Sequence, residues 1–319
     1  MFIVIASQIA EADSRTARNL FYVVLIANIT TAVITIKALG VDHNTARLLS
    51  KSNDVSRQLA GSGIGGYGVI YANVVMLPIL LLFLKKIYSS ERISFLTITV
   101  FINVLVTLFM LIRAQYTIAL AISFCVIGFI YFKRIIFNPY LLFTVTLTML
   151  GIVSLTDVAN DIYILVDLFE GTRYQAKIID LIVASGGDGQ ETGAVSSRSD
   201  AYMLSLNSFF EYPVTGVLEF GSKIGHHSDI LDKYAQWGFF LGSLVVYVLL
   251  YFPLKLYRLV RAEERIYIFC FGVALILVGL LNTLVMEVSI AFILLSIFYS
   301  IFYLVEKDKY EECSKATVC

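Results

Sequence analysis

Arg198 and the run Gly225-His226-His227-Ser228-Asp229-Ile230-Leu231-Asp232 are the residues of this chain whose types and spacing could do chemistry. A guanidinium is a permanent cation with a planar fork that fits phosphate oxygens, and an imidazole exchanges protons near neutral pH. Placed just above a bilayer, such a pair suits an enzyme acting on a lipid-linked anion better than it suits a channel wall. Arg113, at the end of an apolar run, adds a second guanidinium, so that two clamps could grip one diphosphate. A diphosphate is already a good leaving group. Cleavage of its bond to a sugar then needs fixed cations to neutralise developing charge, and a base to activate the attacking hydroxyl. His227 is the natural general base, with Asp229 and Asp200 as weaker candidates.

The elements that must position these groups are membrane helices. Hydrophobic residues make up 58% of the chain and charged residues 15%, with a mean hydropathy of +0.82, outside the range of a soluble domain. Apolar runs long enough to cross a hydrocarbon core roughly 30 Å thick fall at residues 20–39, 64–84, 93–112, 117–132, 137–155, 237–254, 266–283 and 288–305. Each must be a helix, because a spanning segment has to satisfy its backbone hydrogen bonds internally. The expected fold is therefore an all-α polytopic membrane protein with about eight spans and one large external loop that contains amphipathic helices. Four regions follow: a membrane bundle over 1–155, the external loop over 156–236, a second bundle over 237–305, and a tail over 306–319.

Net formal charge is zero, but its distribution is informative. Lys85, Lys86 and Arg92, then Lys133 and Arg134, then Lys255, Arg258, Arg261 and Arg265, then Lys307, Lys309 and Lys315 fall on alternate connections, which the positive-inside rule makes cytoplasmic. Both termini are then inside, while residues 40–63, the Arg113 corner and the 156–236 loop face outward. Cys125 and Cys270 lie in apolar runs and Cys313 and Cys319 in the tail, so no pair is placed to staple an outer loop. The apolar residues 1–10 are too short to span and lack a basic flank, so no signal peptide is expected.

Within the loop, residues 157–184 carry a helical apolar stripe (Ile162, Leu165, Val166, Phe169, then Ile178, Ile179, Ile182) and read as an amphipathic helix on the membrane surface. Glycines 186, 187 and 189 mark a flexible connection. Ser197, with Asp200 three residues on, reads as a helix start that places Arg198 at the first helical position, ending near Pro213 and Gly216. Ser228 reads as the cap of a further helix over 229–237 that runs into the sixth span, with Asp229 and Lys233 spaced as an i,i+4 pair. The loop holds twelve acidic and five basic residues, so its field repels anions at long range and its arginines must act locally. Adjacent histidines point apart on a regular backbone. A metal site on His226 and His227 would need distant carboxylates, so neither metal nor cofactor is expected. Gly61-Ser-Gly63-Ile-Gly65-Gly66 matches the dinucleotide-binding pattern, but no strand precedes it and it opens a membrane helix. Its glycines read instead as sites of close helix packing or of backbone approach to a ligand.

Arg198-x-x-x-Tyr202, Phe210-Glu-Tyr-Pro213-Val-Thr-Gly216, and Gly225-His-His227-Ser228-Asp229-x-Leu231-Asp232 with Gly238-x-x-x-Gly242 resemble the segment entering a late span of Wzy-type polysaccharide polymerases. The related O-antigen ligases share the outline. Gly65-Gly66-Tyr67-Gly68 with Tyr71, and Arg113-Ala114, extend the resemblance toward the N-terminus. It implies a metal-independent glycosyltransferase of the bacterial inner membrane that joins undecaprenyl-diphosphate-linked repeat units on the periplasmic side. By matching position, Arg113 and Arg198 would bind diphosphate, His227 would sit at the reaction centre, and Tyr202, His226, Asp229 and Gly66 would contact substrate. Donor and acceptor would both be lipid-linked oligosaccharides, with a flippase and a chain-length regulator as partners. Members of that family carry ten or more spans, so this chain either lacks early helices or is a short variant.

Two alternatives stand beside this reading. A ligase would use the same chemistry on a different acceptor. A lipid-oligosaccharide flippase would need ionisable groups deep in its spans, and here only Lys37, near a helix end, is of that kind.

Overall fold

The computed structural model describes residues 14–42, 45–49, 61–88, 95–136, 194–217, 224–282 and 289–299, with single positions 175 and 179. Apart from positions 175 and 179, the expected amphipathic helix over 157–184 lies outside the described residues, as do the glycine connection, the fifth run, His43 and the C-terminal tail. Among the described residues every element is helical: α1 Ser14–Val41, the single turn α2 Thr45–Leu48, α3 Tyr67–Tyr88, α4 Phe95–Ala114, α5 Thr117–Ile136, α6 Ala194–Glu211, α7 Asp229–Leu259, α8 Arg265–Leu281 and α9 Ser289–Tyr299. Four of them, α1, α3, α4 and α7, are long and apolar enough to cross a membrane, and α5 and α8 hold shorter apolar helices. The chain is a membrane protein.

Where the third helix begins differs from the hydropathy reading. The apolar run starts at Ile64, but Gly61–Gly63 form a turn and α3 starts only at Tyr67. The backbone instead passes close to α1, where the Gly65 N–H donates to Thr35 Oγ1 at 2.7 Å.

The described elements divide between two compact units. One contains α1 to α4, the first turns of α5, the C-terminal end of α7, most of α8, and α9; the other contains the rest of α5, α6, the first part of α7 and the last turn of α8. In the first unit α3 is almost wholly buried: α4 and α9 pack on it, and both also contact α1. Val74, Val75, Met76, Leu77, Ile79 and Leu80 are all fully enclosed, and Phe21 stacks on Phe83 with ring centroids 4.1 Å apart.

Inside that apolar bundle sits a polar cluster that hydropathy does not reveal. Asn28 Nδ2 donates to Asn73 Oδ1 (3.0 Å) and to Asn103 Oδ1 (2.8 Å), and Thr107 Oγ1 donates to Asn73 Oδ1 (3.0 Å). Asn103 Nδ2 donates to the Leu25 carbonyl and Asn73 Nδ2 to the Val69 carbonyl, both at 2.9 Å. Three helices are thereby cross-linked by side chains that have no water to turn to, which fixes their rotation and register.

The unit's two ends differ in chemistry. At one end Lys86 pairs with the buried Glu264 at 2.7 Å and Lys85 with Glu263 at 3.3 Å, tying α3 to the α7–α8 connection. At the other end Tyr67, Tyr71 and Tyr116 cluster with centroids 4.7 to 6.0 Å apart, and Arg113 closes α4. The 22 residues of α3 separate these ends by about 33 Å, so Lys85 and Lys86 lie a membrane thickness from Arg113.

The 31-residue α7 is longer than a single span requires. Straight, it would measure about 46 Å, well over the hydrocarbon thickness. Gly238 interrupts it with φ 68° and ψ −175°, separating residues 229–237 from 239–259. The second stretch, about 31 Å long, matches a bilayer core.

Candidate functional site

The two histidines ride on residues 224–228, a short non-helical segment that leads into α7. Its geometry is set by one buried carboxylate. Asp232 accepts a hydrogen bond from Ser205 Oγ at 2.5 Å through Oδ1 and from the Ser228 N–H at 3.2 Å through Oδ2. Ser205 Oγ in turn accepts from the Gly225 N–H at 3.0 Å. Asp232 therefore holds both ends of the segment, directly at Ser228 and through the α6 serine at Gly225. Ser205 and Ser228 are fully buried and Asp232 nearly so.

Ser228 caps α7 as the sequence predicts: its Oγ accepts from the Leu231 N–H at 3.1 Å, an interaction worth about 1 kcal/mol. The same hydroxyl donates to the Gly279 carbonyl, and the Asp229 N–H donates to the Asn282 carbonyl, so the end of α8 also holds the segment. The expected pair between Asp229 and Lys233 does not form; Lys233 Nζ donates to Gln236 Oε1 instead.

Backbone-to-backbone packing carries the rest. Beyond α6, residues 212–215 turn and the chain runs against the α7 kink, where the Phe239 N–H donates to the Pro213 carbonyl (2.7 Å) and the Val217 N–H to the Ala235 carbonyl (2.9 Å). Gly216 and Gly238 both have φ near +68°, and a Cβ on Gly238 would sit 2.2 Å from the Val214 carbonyl oxygen. Any side chain there meets both a left-handed penalty and a backbone collision. Gly225 is packed as tightly on the α6 backbone at Ala201.

Against this rigid frame the imidazoles stand out. His226 and His227 are both exposed, and His226 is a non-glycine residue at φ 55°. Neither imidazole is hydrogen-bonded to another described residue. Capping is done by Ser228 and Asp232, so the histidines are not needed for it. A strained, exposed, unengaged side chain held by an over-determined surrounding is the pattern expected at a functional site.

The other candidates fall as follows. Arg198 is the fifth residue of α6, not the first: the helix already runs from Ala194, because residues 194–196 are helix-compatible and Ser197 is not used as its cap. The anion-binding N-terminus expected at Arg198 is therefore one turn away from it. Tyr202 donates its hydroxyl to the Leu281 carbonyl at 3.0 Å, joining α6 to the end of α8. Asp229 is half-buried and Asp200 exposed. Arg113 is exposed at the C-terminus of α4, where Gln115 at φ 53° ends the helix, and its guanidinium lies over the end of α1 near Gly40. It makes no ion pair with a described residue. Gly66 lies against Leu49 and the Ala46 carbonyl, a helix-packing contact. Arg113 and Gly66 belong to the first compact unit, and Arg198, Tyr202, His226, His227 and Asp229 to the second. Among the described residues no group of three His, Cys, Asp or Glu side chains is placed to hold a metal ion.

Ser205 was invisible as a site residue, since nothing distinguishes it from the other loop serines until the fold brings α6 against α7. No protein-family model matches the chain, and no curated protein matches it.

Proposed function

We propose that this chain is a glycosyltransferase of the bacterial inner membrane that joins oligosaccharide repeat units carried on undecaprenyl diphosphate, at the external face. The observation that carries the reading is the exposed pair His226 and His227, hydrogen-bonded to no other described residue and mounted on a frame of Ser205, Asp232 and three glycines. In the proposed reaction an acceptor hydroxyl attacks the anomeric carbon of the donor sugar while His227 takes the hydroxyl proton. The carbon–oxygen bond to phosphate breaks, and its electron pair leaves with the polyprenyl diphosphate. Arg198 neutralises the charge on that leaving group, and Arg113 serves as a diphosphate-binding residue. Support for a role of Arg113 beyond packing is that it is exposed, while its only evident structural gain is the modest attraction of a cation to a helix C-terminus, about 0.3–1 kcal/mol.

The test is chain growth from purified lipid-linked donor. Arg113→Ala and Arg198→Ala each abolish it while protein persists in the membrane, and lysine at either position recovers little, because a point-charge ammonium lacks the bidentate grip. Wild-type chain lengths from either alanine variant would reduce that arginine to a structural charge. In cells lacking the gene, accumulation of single capped repeat units is the polymerase outcome. Accumulation of long undelivered chains would assign the protein as a ligase instead.

A further inference from the structure

The exposed face of α6 is divided. Among the described side chains of α6, Met203 (51% exposed) and Phe210 (71%) form an apolar strip along one edge, and Asp200, Asn207 and Glu211, with the less exposed Leu204 (39%) among them, form a mainly polar strip beside it. The apolar strip continues onto the turn at Val214 (63%) and, across the backbone hydrogen bond from Phe239 to Pro213, onto Phe239 (55%) and Phe240 (68%) at the start of the spanning part of α7. Rings connect the two helices underneath: Phe209 meets Tyr234 at 5.8 Å and Tyr234 meets Phe239 at 6.5 Å.

We propose that this elbow is a bilayer-docking surface, with Met203, Phe210 and Val214 sunk into the boundary between headgroups and acyl chains. The occupant follows from continuity. Phe239 and Phe240 open a stretch of about 31 Å that crosses the hydrocarbon, and the left-handed lock between Gly216 and Gly238 leaves the α6 turn no freedom to lift away from that level. A helix with an apolar strip beside a polar strip lies in the interface plane with the apolar side down. Left in water, the same aromatic patch would be an association liability. The nine residues from Asp229 to Trp237 span about 13 Å, so the His226–His227 segment stays within that height of the hydrocarbon edge, the layer in which a lipid-bound diphosphate lies. That consequence rests on the proposed function; the docking itself does not.

The chain's single tryptophan, Trp237, adjoins the kink and reports on it without any substitution. Full-length protein is reconstituted into phosphatidylcholine vesicles whose acyl chains are brominated either near the ester end or near the methyl end. Trp237 emission is quenched most by the bromines near the ester end. In a Trp237→Phe background, Phe210→Trp is quenched by the same lipid and Glu211→Trp, on the polar strip, is not. The proposal is overturned if Trp237 is quenched mainly by the deep bromines or by neither lipid. It is equally overturned if positions 210 and 211 respond alike: neither quenched would put the face in water or under a protein partner, and both quenched would mean that the helix does not rest on its apolar edge. Because fluorescence does not depend on turnover, an inactive protein with this quenching pattern would sink the glycosyltransferase reading alone.

Discussion

Two of the regions in which this molecule buries polar side chains use them for opposite ends. In the first unit Asn28, Asn73, Asn103 and Thr107 hydrogen-bond to one another and to helix carbonyls, knitting three membrane helices together. In the elbow between α6 and α7, Ser205, Ser228 and Asp232 are about as enclosed, but besides joining one another they bond to the backbone of a segment whose two histidines are left outside. A network that closes on itself gives stability and helix register. One that closes on a loop turns the loop into a rigid mount, and what stands on the mount is then available for chemistry.

The comparison is broken most severely by Gly238→Ala. A methyl group forced to within 2.2 Å of the Val214 carbonyl oxygen at positive φ should prevent the elbow from forming, leaving little monodisperse protein in detergent size-exclusion. Gly128→Ala, in a helix where an added Cβ meets nothing within 4 Å, is the matched control and should raise stability by roughly 0.5–1 kcal/mol. If both elute alike, the lock is not what builds the mount.

His227→Gln separates mount from cargo. The melting temperature should be unchanged while turnover of lipid-linked donor falls roughly 10²- to 10⁴-fold, the range for loss of a general base. Donor binding should survive. Near-normal turnover with His226→Gln dead would pass the role to His226, and activity in both variants would leave the base to a carboxylate.

Asp232→Asn should cost both properties at once. Its amide keeps one acceptor oxygen for the two donors, Ser205 Oγ and the Ser228 N–H, and strands one of them at a cost of about 1–3 kcal/mol. Thermal melting and donor turnover per folded molecule should fall together; a fall in melting with full turnover would show that the segment keeps its shape without the carboxylate. The smallest effect belongs to the closed network. Asn103→Leu removes its bonds to Asn28 and to the Leu25 carbonyl, which should lower stability by about 1–2 kcal/mol with turnover per folded molecule intact. Lost turnover at unchanged melting would mean that the asparagine cluster serves more than helix register.

Apolar run lengths determined by themselves that this is a helical membrane protein, because a spanning segment has no other way to satisfy its backbone. Residue types alone also picked out the Ser228 cap and the ends of α6 near Pro213 and Gly216, since capping and left-handed turns depend on a few adjacent residues. The same local reasoning placed the start of α6 at Ser197, a plausible cap, whereas the helix runs from Ala194 and carries Arg198 a turn inside. Only the tertiary structure decided what Asp232, Ser205, Gly225 and the pair Gly216 and Gly238 do. Their partners lie 20 to 27 residues away or on a facing backbone, and nothing in periodicity encodes which side chain meets which across such a gap. The three asparagines were hidden for the same reason. Each is a lone polar residue in an apolar run, and their meaning appears only when separations of 45 and 75 residues close to a hydrogen bond.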